Sequence, residues 1–88
     1  MRDIRIYSLD RHVFNKIPDA CIKSWDNGIQ DETLGIRDLS GTVNVVIKDV
    51  FDIVFSEDND LVITVIYNNK LSTLVKIPCN SFSCVVIR

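Results

Sequence analysis

A chain of 88 residues with 47% apolar content builds one globular domain with a modest core and has no room for a second. Its net charge of −2 offers no basic footprint for gripping phosphates, and three glycines in the whole chain exclude Gly-rich phosphate loops and dinucleotide folds. Isoleucine and valine supply 23 residues against six leucines and one alanine, a balance that favours sheet over helix.

The first residues, Met1-Arg2-Asp3-Ile4-Arg5, lack the apolar core of a signal peptide. No apolar run approaches the ~20 residues of a membrane span. No Asn-x-Ser/Thr acceptor occurs. These features read as a cytoplasmic protein whose three cysteines are reduced.

Asp3 to Leu9 reads as a first strand with one wet face, because Ile4 and Ile6 alternate with Arg5 and Tyr7. Asp10-Arg11-His12 ends it, Val13 to Ile17 is ambiguous, and Pro18 marks a boundary. Pro18 suits the first position of a short helix, with Asp19 in its first turn and Asn27-Gly28 as the stop. The spacing therefore predicts a helix near 18–26, with Cys21 and Trp25 on one face. Residues 29–41 read mainly as loop, with a turn of helix near Asp31–Leu34.

Residues 42–48 fit either periodicity. Val43, Val45 and Ile47 alternate as in a strand, while Ile36, Leu39, Val43, Val46 and Val50 recur at helical spacing. The β-branched content favours the strand, and residues 42–55 then form one long strand with a bulge or bend at Asp49.

From Val50 to Ile77 the pattern is that of a three-stranded meander. Phe51, Ile53 and Phe55 share one face of an extended chain. Leu61, Ile63, Val65 and Tyr67 share a face of the next strand, whose other face (Val62, Thr64, Ile66) is also β-branched, so that strand is expected to be covered on both sides. Glu57 to Asp60 is a polar turn, and Asn68-Asn69 suits the positive φ of a tight hairpin. Leu71 to Ile77 completes the meander, and residues 82–87 form a last strand after the Pro78 corner. The expected core is Phe51, Ile53, Phe55, Ile63, Val65, Val75 and Ile77.

Few side chains could carry chemistry. His12, Cys21, Cys79 and Cys84 match a zinc site in number, but their spacing lacks the close ligand pairs of a knuckle, so buried, inert thiols are the better reading. A nucleophilic Cys–His pair lacks any framing motif. Glu57, Asp58 and Asp60 could hold a hard cation, yet they lack the calcium-loop pattern and read as a solvated loop tip. Asp49 and Asp52 interrupt an apolar strand on opposite faces, which suits edge protection rather than a carboxylate pair. Tyr7, Phe14, Trp25, Tyr67 and Phe82 could include a base-stacking platform, but the basic residues are scattered.

The fold expected is α+β and β-rich: an antiparallel sheet of four to six strands (meander 50–77 plus strand 82–87) carrying one short helix near 18–26. A small closed β-barrel is the alternative. The function expected is a small non-enzymatic protein-interaction module with no cofactor, metal or membrane. Its size and its Ile, Asn, Asp and Lys bias, that of AT-rich coding sequence, suit an inhibitor or accessory protein of a phage or mobile element. A nucleic-acid-binding small β-barrel is the second reading and an enzyme the third. The strands at 42–47 and 82–87 lack charge and proline. Either, if it lies at a sheet edge, is expected to pair with a second copy as a homodimer or to receive a partner's strand.

Overall fold

The computed structural model describes residues 2–27, 41–74 and 76–87. The expectations for the 29–40 loop, for a helical turn near Asp31–Leu34 and for burial of Val75 lie outside these residues.

The axis of the fold is β3 (Thr42–Phe55), a single strand of 14 residues, as the strand reading of 42–55 requires. β1 (Arg2–Asp10) runs antiparallel along one side of it, from Arg2 opposite Val50 to Asp10 opposite Thr42. Two strands share the other side. β2 (Ile22–Asn27) pairs with residues 43–47, and β4 (Asp60–Tyr67) pairs with residues 50–55. β5 (Lys70–Thr73) and the two-residue β6 (Ile77–Pro78) follow one another along the far side of β4. β7 (Cys84–Ile87) pairs with β1. The longest path through the sheet is β5-β4-β3-β1-β7, and among the described residues neither end strand meets the other or a further neighbour, so the sheet is open and not the closed barrel of the alternative reading.

The strand count exceeds the expected four to six for two reasons. The third meander strand counts as two, β5 and β6: the β4–β5 ladder ends at Thr73 opposite Thr64, Leu74 donates to the Ile63 carbonyl, and the β4–β6 ladder takes up at Ile77 opposite Leu61. The second reason is a correction. No helix spans 18–26: Asp19–Cys21 is a single 3-10 turn, and Ile22–Asn27 is strand. Nine residues make a marginal helix in water, and a ladder to the long central strand satisfies the same backbone groups while joining the sheet. Among the described residues the α-helical content is one turn, α1 (Arg11–Phe14), whose start is capped by the Asp10 carboxylate accepting from the His12 N–H.

The core lies on one face of the sheet. Ile4, Ile6 and Leu9 of β1 meet Val45, Ile47 and Val50 of β3 and Leu61, Ile63 and Val65 of β4. The segment carrying α1 and the 3-10 turn crosses this face and closes it with Ile17 and Cys21, while Leu74 and Ile77 close it from the other side. No polar or charged side chain among the described residues is buried in it.

Turn chemistry follows the residues. Asn68 and Asn69 take φ of 52° and 60° in the two-residue loop between Tyr67 and Lys70. Asn59 takes φ 60° in the acidic turn, where Ser56 Oγ accepts the Asp60 N–H.

The sequence-expected core needs two further corrections. Ile63, Val65 and Ile77 are buried and Ile53 is half-buried, but Phe51 and Phe55 are exposed. Phe51 is the extra residue of a bulge, since Val50 pairs with Val65 and Asp52 with Thr64. Phe55 is the last residue of its strand and stays exposed, although it lies opposite buried Leu61. The second correction concerns β4: its inner face is buried, and its outer face is only half-covered.

Candidate functional site

Residues directly opposite in an antiparallel pair share a face, so the register defines the outer surface of the β3–β4–β5 half. Val54 lies opposite Val62, Asp52 opposite Thr64, Thr64 opposite Thr73, and Ile66 opposite Leu71. Phe51, turned outward by its bulge, lies beside Ile66, and the two line an open hollow of about 550 Å³ with Arg2 and Val50. Phe51, Val54 and Leu71 are 55%, 51% and 59% exposed. Single exposed apolar side chains are ordinary on a protein surface, but here Phe51, Ile66 and Leu71 cluster across three adjacent strands, and the Val54–Val62 pair follows beyond the row Asp52–Thr64–Thr73, in which only Asp52 carries charge.

Charges gather at the two ends of this face. The β3–β4 turn ends it with Glu57, Asp58 and Asp60, the first two exposed. Arg2 stands at the opposite end, beside the hollow, and Lys70 opens β5 there.

The other half of the sheet is polar outside. The Arg5 guanidinium lies 5.7 Å from the Tyr7 ring centroid and donates to its hydroxyl at 3.4 Å; that hydrogen bond, with the Tyr7 charge, holds the guanidinium pKa above its ordinary value. Lys23 and Asp3 pair at 2.8 Å on the surface, a contact worth little in water. On the inner side, Phe14 packs against Trp25 with ring centroids 5.4 Å apart, and both border a shallow groove with Asp19, Ile22, Lys23 and Ser24.

The residues singled out for chemistry lie on separate elements. His12 is exposed on α1, Cys21 is buried at the end of the 3-10 turn Asp19–Cys21, Cys79 opens the 3-10 turn Cys79–Ser81, and Cys84 is exposed on β7. No three His, Cys, Asp or Glu side chains among the described residues gather in a metal-binding arrangement. Asp49 and Asp52 are both exposed on β3. The aromatic side chains do not share a platform: Tyr7 lies on the outer face, Phe14 and Trp25 on the inner, and Tyr67 at a hairpin end. Among the described residues, no helix is long and apolar enough to cross a membrane.

Phe51 escaped the sequence reading as a residue of the outer face because its placement rests on one bulge. Placing Phe51 outside required knowing that the strand's period breaks between Val50 and Asp52. The continuous β-branched run of β4 was a usable signal, but it reads equally as a strand covered on both faces.

No protein family matches the chain, and no curated protein or solved structure is detectably similar to it.

Proposed function

We propose that this chain is a non-enzymatic protein-interaction module that docks a partner protein on the outer face of β3, β4 and β5. The observation that carries the proposal is the cluster of Phe51, Ile66 and Leu71, with the Val54–Val62 pair across the Asp52–Thr64–Thr73 row, on one exposed face of the described residues. Apolar area removed from water stabilises a complex by roughly 25 cal/mol per Å², and aromatic and aliphatic side chains at the centre of a patch dominate such contacts.

The polarity of the face defines the partner's chemistry. It is a protein surface with an apolar centre, a basic margin to meet Glu57, Asp58 and Asp60, and an acidic margin to meet Arg2 and Lys70. Size and AT-rich coding bias fit an inhibitor or accessory protein of a phage or other mobile element, and the partner is then a host protein. A nucleic-acid platform has less to stand on: the sheet is open, the aromatic residues are divided between faces, and the net charge is −2.

The test compares wild type with Val54→Asp and Leu71→Glu, both at exposed positions and therefore expected to fold normally. A partner captured from host extract by wild type and reconstituted from purified components should bind each variant at least about ten-fold more weakly, as expected for a charge placed against an apolar contact. Equal binding of wild type and both variants would overturn this docking face.

A further inference from the structure

We propose that two copies of this chain pair through the free edge of β7 and form a two-fold dimer with one sheet running through both. This goes beyond the docking face and does not depend on it.

Among the described residues, four strands have a ladder neighbour on one side only: β2, β5, β6 and β7. Unpaired strand edges template association, and proteins block them with charge or proline. β2 carries Lys23 and Asp26, β5 opens on Lys70, and β6 ends in Pro78. β7 alone has neither, reading Cys84-Val85-Val86-Ile87. The other unprotected strand of the sequence, residues 42–47, lies inside the sheet between β1 and β2, so its lack of charge has a structural reason. Among the described residues, no neighbour supplies that reason for β7.

The side chains of β7 suit a copy of themselves. Val85 lies opposite Ile6 and Ile87 opposite Ile4, both fully buried core residues, so Val85 and Ile87 form the rim of the core. Ile87 is nevertheless 47% exposed, and on the outer face Val86 is 37% exposed beside exposed Cys84. A two-fold axis passing through the face of the sheet keeps inner side chains with inner and outer with outer. Centred on Val86, it places Val86 opposite its own copy and Val85 opposite Ile87 of the second copy. Both faces then meet like with like, which is the self-complementarity an isologous contact requires. Four residues give a short ladder, well below the roughly 1,600 Å² of a standard interface, so the association is weak and concentration-dependent. The docking face lies on β3–β5, away from β7 in the strand order, and remains free on both copies. The dimer is therefore bivalent toward a partner.

Sedimentation equilibrium of the full chain, under reductant so that Cys84 cannot cross-link, tests the pairing. Wild type should pass from monomer to dimer between micromolar concentration and about 1 mM. Val86→Lys and Val86→Glu change a partly exposed side chain and should keep the wild-type circular dichroism, while each weakens self-association about ten-fold or more by setting like charges together. An equimolar mixture of the two variants should associate again, because opposite charges then face each other across the axis. A misfolded variant would not recover in this way. A wild type that stays monomeric to about 1 mM, variants that dimerise like wild type, or a mixture no better than its components would each overturn the proposal.

Discussion

Val50 lies opposite Val65 in the β3–β4 ladder and both are buried, although an unbroken period of two from Val43 would place Asp49 in that position. The inward positions of β3 run 43, 45, 47, 50 and 53. Two adjacent bulges produce this spacing. In the ladder to β1, Ile4 meets Ile47 and Arg2 meets Val50, which leaves an extra residue around Asp49. In the ladder to β4 the extra residue is Phe51. The first bulge keeps a carboxylate out of the core; the second turns a phenyl ring toward solvent and adds it to the outer face.

Asp49 takes φ 56°, a left-handed conformation that short polar residues tolerate and β-branched residues resist. Asp49→Val should therefore destabilise the protein by about 1–2 kcal/mol, even though valine suits a strand elsewhere. Asp49→Gly should be neutral or slightly stabilising. Urea midpoints at neutral pH compare the two, and equal midpoints would remove the bulge as the reason for an acid here.

The same strand pair separates core from surface. Ile63→Ala should cost about 2–5 kcal/mol, since the side chain is fully buried and its loss leaves a cavity. Phe51→Ala removes a larger group, yet should cost under about 1 kcal/mol, because the residue is already 55% exposed. Thermal unfolding of the two variants ranks them, and a reversed order would place Phe51 in the core.

Cys21, Cys79 and Cys84 are free thiols of decreasing burial. With an aromatic disulfide reagent, Cys84 should react first and Cys21 last, and denaturation without reductant should release all three. Burial pushes the Cys21 thiol above its ordinary value of 9.0; Lys48 opposes the rise and Asp49 adds to it. The unfolded thiol thus ionises at lower pH than the folded one. The stability gained by keeping Cys21 neutral is complete below the ordinary thiol range and is lost as pH rises through it. Urea midpoints between about pH 7 and pH 10 should fall more for wild type than for Cys21→Ala, which has no thiol to ionise. Parallel decline of the two proteins would sink this assignment.

Elements whose signal is local were legible in the residues. The first strand, the long strand at 42–55, the bulge at Asp49, the Asn68-Asn69 turn and the C-terminal strand all follow from alternation, β-branching and turn chemistry. What long-range pairing decides was not legible. Ile22 to Asn27 has a plausible helical start at Pro18 and a plausible stop at Asn27-Gly28, and only the open side of β3 makes it a strand. Phe51 and Phe55 share the period of Ile53, and only the register with β4 excludes Phe51 from the core. The outer face was hidden in part for the same reason, since the bulge turns Phe51 onto it, while Val62 and Ile66 read equally as the second face of a strand covered on both sides.

Asn44 ties three strands together through one side chain. Its Oδ1 accepts the N–H of Ser8 at 3.0 Å, and its Nδ2 donates to the Asp26 carboxylate at 2.8 Å. Ser8 is the bulged residue of β1, with φ 57°, between Ile6 opposite Val45 and Leu9 opposite Val43. A bulge removes a residue from its ladder, so the Ser8 N–H depends on this amide. Asn44→Ala leaves that partly buried donor without its partner and should cost about 1–3 kcal/mol. Asp26→Ala removes only the exposed end of the chain of bonds and should cost less than about 1 kcal/mol. Asn44→Asp keeps an acceptor for Ser8 but sets a second carboxylate against Asp26, and should be rescued by Asp26→Asn, which restores a donor. Urea denaturation of the single variants and the Asn44→Asp/Asp26→Asn pair reads the coupling. A pair no more stable than Asn44→Asp alone would show that the two contacts act independently, and an unaffected Asn44→Ala would show that the β1 bulge does not depend on this side chain.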